Sequence, residues 1–152
     1  MKKFLLLPTL LLLAACGGDD GPRDYLKISG GGIKFNYKVS QATMILMAQQ
    51  TYPLPKGSKV EAQFDIPGTD TRQTVAWPAE EGKLTYGFES QPLQNIVKDT
   101  PYKVTLLLVS ADGKQLDKKE TTFESDVNQS DLPDKPLFTG PVYTEPHPEN
   151  IK

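Results

Sequence analysis

The sequence predicts an all-β protein, an antiparallel sandwich of about seven short strands. Three observations carry that prediction. Apolar residues through the middle of the chain recur at every second position, the period of a strand and not of a helix. Turn residues interrupt these runs at roughly ten-residue spacing, the rhythm of a sandwich. Finally, Cys16 is the only cysteine, so no intrachain disulfide can form and the fold must stand on its hydrophobic core.

The elements follow in order. Ile33, Phe35, Tyr37 and Val39 alternate with Lys34, Asn36 and Lys38, a strand with one wet face. Gly30-Gly31-Gly32 before it reads as a flexible bend. Residues 43–48 (Thr-Met-Ile-Leu-Met-Ala) are continuously apolar, a pattern in which periodicity does not separate a buried strand from a short helix. Pro53 and Pro55 follow closely and the neighbours are strands, which favours strand here too. Val60, Ala62, Phe64 and Ile66 alternate with polar residues until Pro67-Gly68. Residues 71–77 form a further strand stopped by Pro78. Glu80-Glu81-Gly82 reads as a charged hairpin turn leading into Leu84, Tyr86 and Phe88. Tyr102, Val104, Leu106 and Leu108 run into a turn containing Asp112-Gly113, a pair that accepts the positive φ of a tight hairpin. A return strand over 115–124 follows. On it Leu116 and Phe123 lie an odd number of residues apart, which hints at a bulge or a strand that changes sheets.

Residues 93–104, Leu-Gln-Asn-Ile-Val-Lys-Asp-Thr-Pro-Tyr-Lys-Val, resemble the entry to the sixth strand of immunoglobulin-like and fibronectin-type-III domains. The resemblance implies an immunoglobulin-like sandwich in which the Tyr102 hydroxyl bonds back to upstream backbone, the tyrosine corner. Leu93 and Ile96 would then plug the end of the sandwich. The cysteine pair of immunoglobulin domains is missing, and Trp77 sits too late to be their early core tryptophan.

The N-terminus has a different character. Lys2 and Lys3 precede an apolar run from Phe4 to Leu13, which ends in Leu13-Ala14-Ala15-Cys16. A run of about ten residues is short of the ~20 that span a bilayer and has the layout of a secretory signal with a small-residue cleavage site. Because Cys16 follows directly, the segment resembles a bacterial lipoprotein signal. That resemblance implies cleavage before Cys16, acylation of its sulfur and new amino terminus, and a periplasm-facing domain held on the membrane by its acyl chains. Gly17 stands where an aspartate marks inner-membrane retention, so the expectation is the outer membrane. The chain is thus divided into a signal peptide (1–15), a lipidated tether (16–24), a sandwich (25–125) and a proline-rich extended tail (126–152).

The net charge of −2 becomes two units more negative once Lys2 and Lys3 are removed, which makes nucleic acid a poor electrostatic partner. Catalytic constellations are missing. The single histidine, His147, lies between Pro146 and Pro148, where nothing rigid holds a general base in place. Four zinc ligands cannot be assembled. Asp65 with Asp70, and Asp19-Asp20, lack calcium-ligand spacing. Gly30-Gly31-Gly32 has no following Lys-Ser/Thr and fails as a phosphate loop. The expectation is a protein that is no enzyme and needs no cofactor or metal, an interaction or assembly module for an envelope partner. The alternative is a glycan or small-ligand module using loop aromatics. Candidate contacts are Tyr52, Trp77, Phe138 and Tyr143, with Trp77 also expected in the core because it shares a strand face with Val75. The tail segment 132–143 is apolar enough to pack on its own domain or to dock extended on a partner.

Overall fold

The computed structural model describes residues 23–133 and Lys135. They form seven strands in two antiparallel sheets. These are β1 (Leu26–Asn36), β2 (Gln41–Gln50), β3 (Lys59–Asp65), β4 (Arg72–Pro78), β5 (Thr85–Glu89), β6 (Tyr102–Val109) and β7 (Gln115–Phe123). The three-stranded sheet has the order β1-β2-β5, and the four-stranded sheet has the order β4-β3-β6-β7. This is the immunoglobulin-like sandwich, with the fourth strand on the sheet of β3, β6 and β7 instead of beside β5 as in constant-type domains.

The core follows from the alternation. Met44, Leu46 and Ala48 of β2 meet Val60, Ala62 and Phe64 of β3 and Val104, Leu106 and Leu108 of β6, all buried, with Tyr86 and Phe88 closing the layer from β5. The continuously apolar segment is therefore a strand. It is apolar on both faces because Thr43 and Ile45 are also largely covered on the outer side. Leu84 departs from the expected alternation. It lies one residue before β5, beyond the end of the sandwich, and is 62% exposed.

The glycine run is not a bend. Gly30-Gly31-Gly32 lies inside β1, and the β1–β2 register shifts between Ile28 and Gly30. That bulge moves the inward set from Leu26 and Ile28 to Gly31, Ile33 and Phe35, a change of parity that an uninterrupted strand cannot make. Gly31 has a φ of 153°, and a Cβ there would lie 2.4 Å from both the Ile45 carbonyl oxygen and the Phe123 ring. Tyr37 and Val39, expected in the first strand, fall in the β1–β2 turn. The bulge expected near Leu116 is present, because Leu108 pairs with Asp117 while Val109 pairs with Gln115.

The chain enters at one end of the sandwich and leaves at the other. Residues 23–25, 51–58, 79–84 and 110–114 share the entry end, and the β1–β2 turn, residues 90–101 and residues 124–133 share the far end. At the far end the Val97 N–H donates to the Tyr102 hydroxyl at 2.8 Å, and Leu93 and Ile96 are buried. The tyrosine corner is formed. Residues 125–132 also pack there, since the Gln129 N–H donates to the Ile96 carbonyl at 2.8 Å. The Gln129 amide also accepts from the Ile96 N–H at 3.1 Å and donates to the Leu93 carbonyl at 2.8 Å. Leu132 is buried, and the Ser40 hydroxyl donates to the Pro133 carbonyl.

Candidate functional site

The two described candidate aromatics are each engaged separately. Tyr52 follows β2 at the entry end. Its ring meets Tyr25 edge-on at 5.9 Å, with the Arg23 guanidinium 5.0 Å from its centroid and donating to its hydroxyl at 3.1 Å. Backbone bonds hold the same junction, as the Thr51 N–H donates to the Tyr25 carbonyl at 2.9 Å. Tyr52 is 45% exposed, and what it holds is the start of the domain. Cys16, Phe138, Tyr143 and His147 lie outside the described residues.

Trp77 is not a core residue, being 45% exposed. Its strand face was read correctly, because it pairs with buried Val60 and so points inward. The cover is missing, because a four-stranded sheet overhangs a three-stranded one and β4 is the overhang. There the indole N–H donates to the Gly87 carbonyl at 2.9 Å. The residues of β5 that bond to β2 are the even-numbered ones, as the Ser90–Met44 and Gln50–Leu84 bonds show, so Gly87 turns its backbone outward. Gln73, two pairs along the same face, accepts from the Gln91 N–H at 2.7 Å. Side chains of β4 thus lace the open margin of β5. Lys83 sits by the same corner, with its ammonium 5.1 Å from the Tyr86 centroid and 5.9 Å from that of Trp77, and it pairs with Glu80 at 3.1 Å.

The outer faces of the two sheets differ. On the four-stranded sheet, ion pairs cover the surface: Lys103 and Lys118 each lie 2.9 Å from Glu120, Lys59 lies 2.6 Å from Glu61, and Arg72 lies 2.9 Å from Asp65. Asp65 also accepts the Lys103 N–H at 3.0 Å, so this turn aspartate joins strands. On the three-stranded sheet, Ile45 and Met47 stand in the middle strand, and their cross-strand neighbours are Gly32, Gly30 and Gly87. Glycine has no side chain to shield them, and Met47 is 41% exposed. A polar border closes the far end of this strip, where Glu89 accepts from Lys34 at 2.6 Å and from the Thr43 hydroxyl at 2.8 Å. Desolvation raises the Glu89 pKa, but those two bonds outweigh it and hold the carboxyl below its ordinary range.

Asp117 was not singled out in the sequence. It sits inward on β7, 9% exposed, and its Oδ2 accepts the N–H groups of Tyr25 and Leu26 at 2.9 and 3.0 Å. Its Oδ1 accepts the Lys118 N–H at 2.7 Å and lies 3.1 Å from the Lys119 ammonium. Lys119 also reaches Asp24 at 2.5 Å, which lowers the Asp24 pKa and raises that of Lys119. One carboxylate therefore pins the first strand, where the tether joins it, to the opposite sheet. Beside the junction is an open groove of about 560 Å³ lined by Asp24, Leu26, Ile28, Thr51 and Lys119. The only sequence signal was an acid where the β7 alternation asks for an apolar residue.

Among the described residues, no group of three or more His, Cys, Asp or Glu is placed to hold a metal ion. Compared with known proteins, the chain matches no family model and no curated relative.

Proposed function

We propose that this protein is a lipid-anchored envelope lipoprotein that faces the periplasm and holds a protein partner without catalysing a reaction. The observation that supports this reading is the bare apolar strip of Ile45 and Met47, flanked by three glycines, opposite a sheet whose outer face is covered with ion pairs. A partner surface can approach that backbone closely and bury apolar area at ~25 cal/mol per Å². The Leu13-Ala14-Ala15-Cys16 signal supports the anchor, and more than one acyl chain gives stable attachment.

Two experiments test it. A fatty-acid analogue fed to cells should label the wild type and not Cys16→Ser, and equal labelling would remove the anchor. A photocrosslinking residue at Met47 should yield a protein adduct in intact envelopes, while one at Thr122 on the other sheet should not. Adducts from neither position, with the protein folded and exported, would sink the interaction reading.

A further inference from the structure

Four strands lie at the margins of the two sheets, β1, β4, β5 and β7, and a bare margin is a template for another chain's strand. Three are protected. A bulge and Lys27 and Lys34 protect β1, Lys118, Lys119 and Glu120 protect β7, and the Trp77 indole occupies the outward Gly87 carbonyl of β5. On β4 the five residues from Gln73 to Trp77 carry no charge, proline or bulge. The ladder fixes which groups face out. The Ala79 N–H donates to Ser58 and the Ile66 N–H to Thr71, so the odd-numbered residues between bond inward to β3. Arg72, Thr74 and Ala76 therefore direct their N–H and C=O groups away from the sheet.

Resting on the interaction reading above, we infer that β4 is a docking edge for an extended segment of a partner protein. That segment adds as a strand and carries apolar residues at alternate positions. Those residues would land beside Val75 and Trp77, the half-covered inward row of the overhang. A second copy fits the edge poorly. Parallel self-pairing places Arg72 beside Arg72. Antiparallel self-pairing sends the two entry ends in opposite directions, about 30 Å apart along a strand as long as β2. The stretch from Cys16 to Arg23 reaches at most about 25 Å, too little to bring both lipids to one bilayer surface.

The test begins with a pool of random linear peptides about ten residues long, selected against the full-length protein in detergent. Peptides with alternating apolar residues should be enriched. Thr74→Pro and Ala76→Pro each remove one outward donor without touching the β3 ladder, and each should weaken binding roughly tenfold. Met47→Asp should leave binding unchanged. Should a proline variant fail to fold, methylating alternate backbone nitrogens of the enriched peptide must abolish binding to the wild type. No enrichment, or peptides indifferent to both prolines and to methylation, would overturn the proposal. In envelopes, photocrosslinks from Ala76 separate the remaining cases. An adduct of twice the chain mass means self-pairing and overturns the foreign strand. Adducts from Met47 with none from Ala76 remove the edge and leave the interaction function standing.

Discussion

Replacing Asp117 by Asn is the most incisive perturbation of this fold. The carboxylate accepts from Tyr25 N–H and Leu26 N–H on one oxygen, and from Lys118 N–H and the Lys119 ammonium on the other. All four partners are donors. An amide must aim its own NH₂ at one of the two pairs, so neither orientation satisfies the site. Hydrogen bonds to a charged acceptor contribute about 1.5–3 kcal/mol each. Losing the Tyr25 and Leu26 bonds, with partial recovery from water at half-buried Tyr25, should cost about 3 kcal/mol. That is a large share of the ~5–15 kcal/mol typical of a domain. Lys119→Met removes only the ion pair, whose lysine side chain is 30% exposed, and should cost under ~1 kcal/mol. Urea unfolding gives both values, and amide exchange at Leu26 localises the loss to the start of β1. An Asn variant within ~0.5 kcal/mol of wild type, with Leu26 exchange unchanged, would refute the reasoning.

Other outcomes follow from the same geometry. Tyr102→Phe removes the acceptor for the Val97 N–H and should lower unfolding free energy by about 1 kcal/mol, read from urea midpoints, and an unchanged midpoint would remove the corner from the account of stability. Gly31→Ala forces a methyl into the Ile45 carbonyl and the Phe123 ring and should cost about 1–3 kcal/mol, whereas Gly32→Ala, with nothing within 4 Å, should cost less by thermal melting. Bonds from Lys103 and Lys118 hold the Glu120 carboxyl at about 2, against an ordinary 4.5. Its stabilisation is complete above 4.5 and is lost as pH falls towards 2, so Glu120→Gln should flatten the acid limb of a stability–pH curve. Lys119, raised above 10.5, contributes below that value and loses its contribution only as pH rises through its folded pKa.

Strand identity was legible because burial on one face writes a period of two into the sequence, and β3, β5 and β6 carry it cleanly. The tyrosine corner was legible because it is local: Val97 and Tyr102 are five residues apart. What the sequence hid depends on pairing across the sandwich. Trp77 and Val75 do share an inward face, yet only the unequal strand numbers of the two sheets leave Trp77 uncovered. The glycines of β1 look like a hinge until β2 and Phe123 are laid against them. Asp117 joins residues 91 and 92 positions away, a separation at which alternation carries no information. The Ile45–Met47 strip was hidden for the same reason, since its bareness comes from glycines on two other strands.

The entry and exit of the chain at opposite ends give the domain a mechanical axis. Strands β1 and β7 run in the same direction along one side of the sandwich, with Asp117 bridging them near the entry end and the Gly31–Phe123 contact lying further along. Tension between an anchored N-terminus and a held tail would pull β1 from its first residues and β7 from its last. Such a load slides the two strands past one another instead of peeling either away, so the bonds at Tyr25, Leu26 and Asp117 must fail together. Forced unfolding is governed by the unfolding rate, and a junction that breaks cooperatively in shear slows that rate along the one direction in which an anchored domain is pulled.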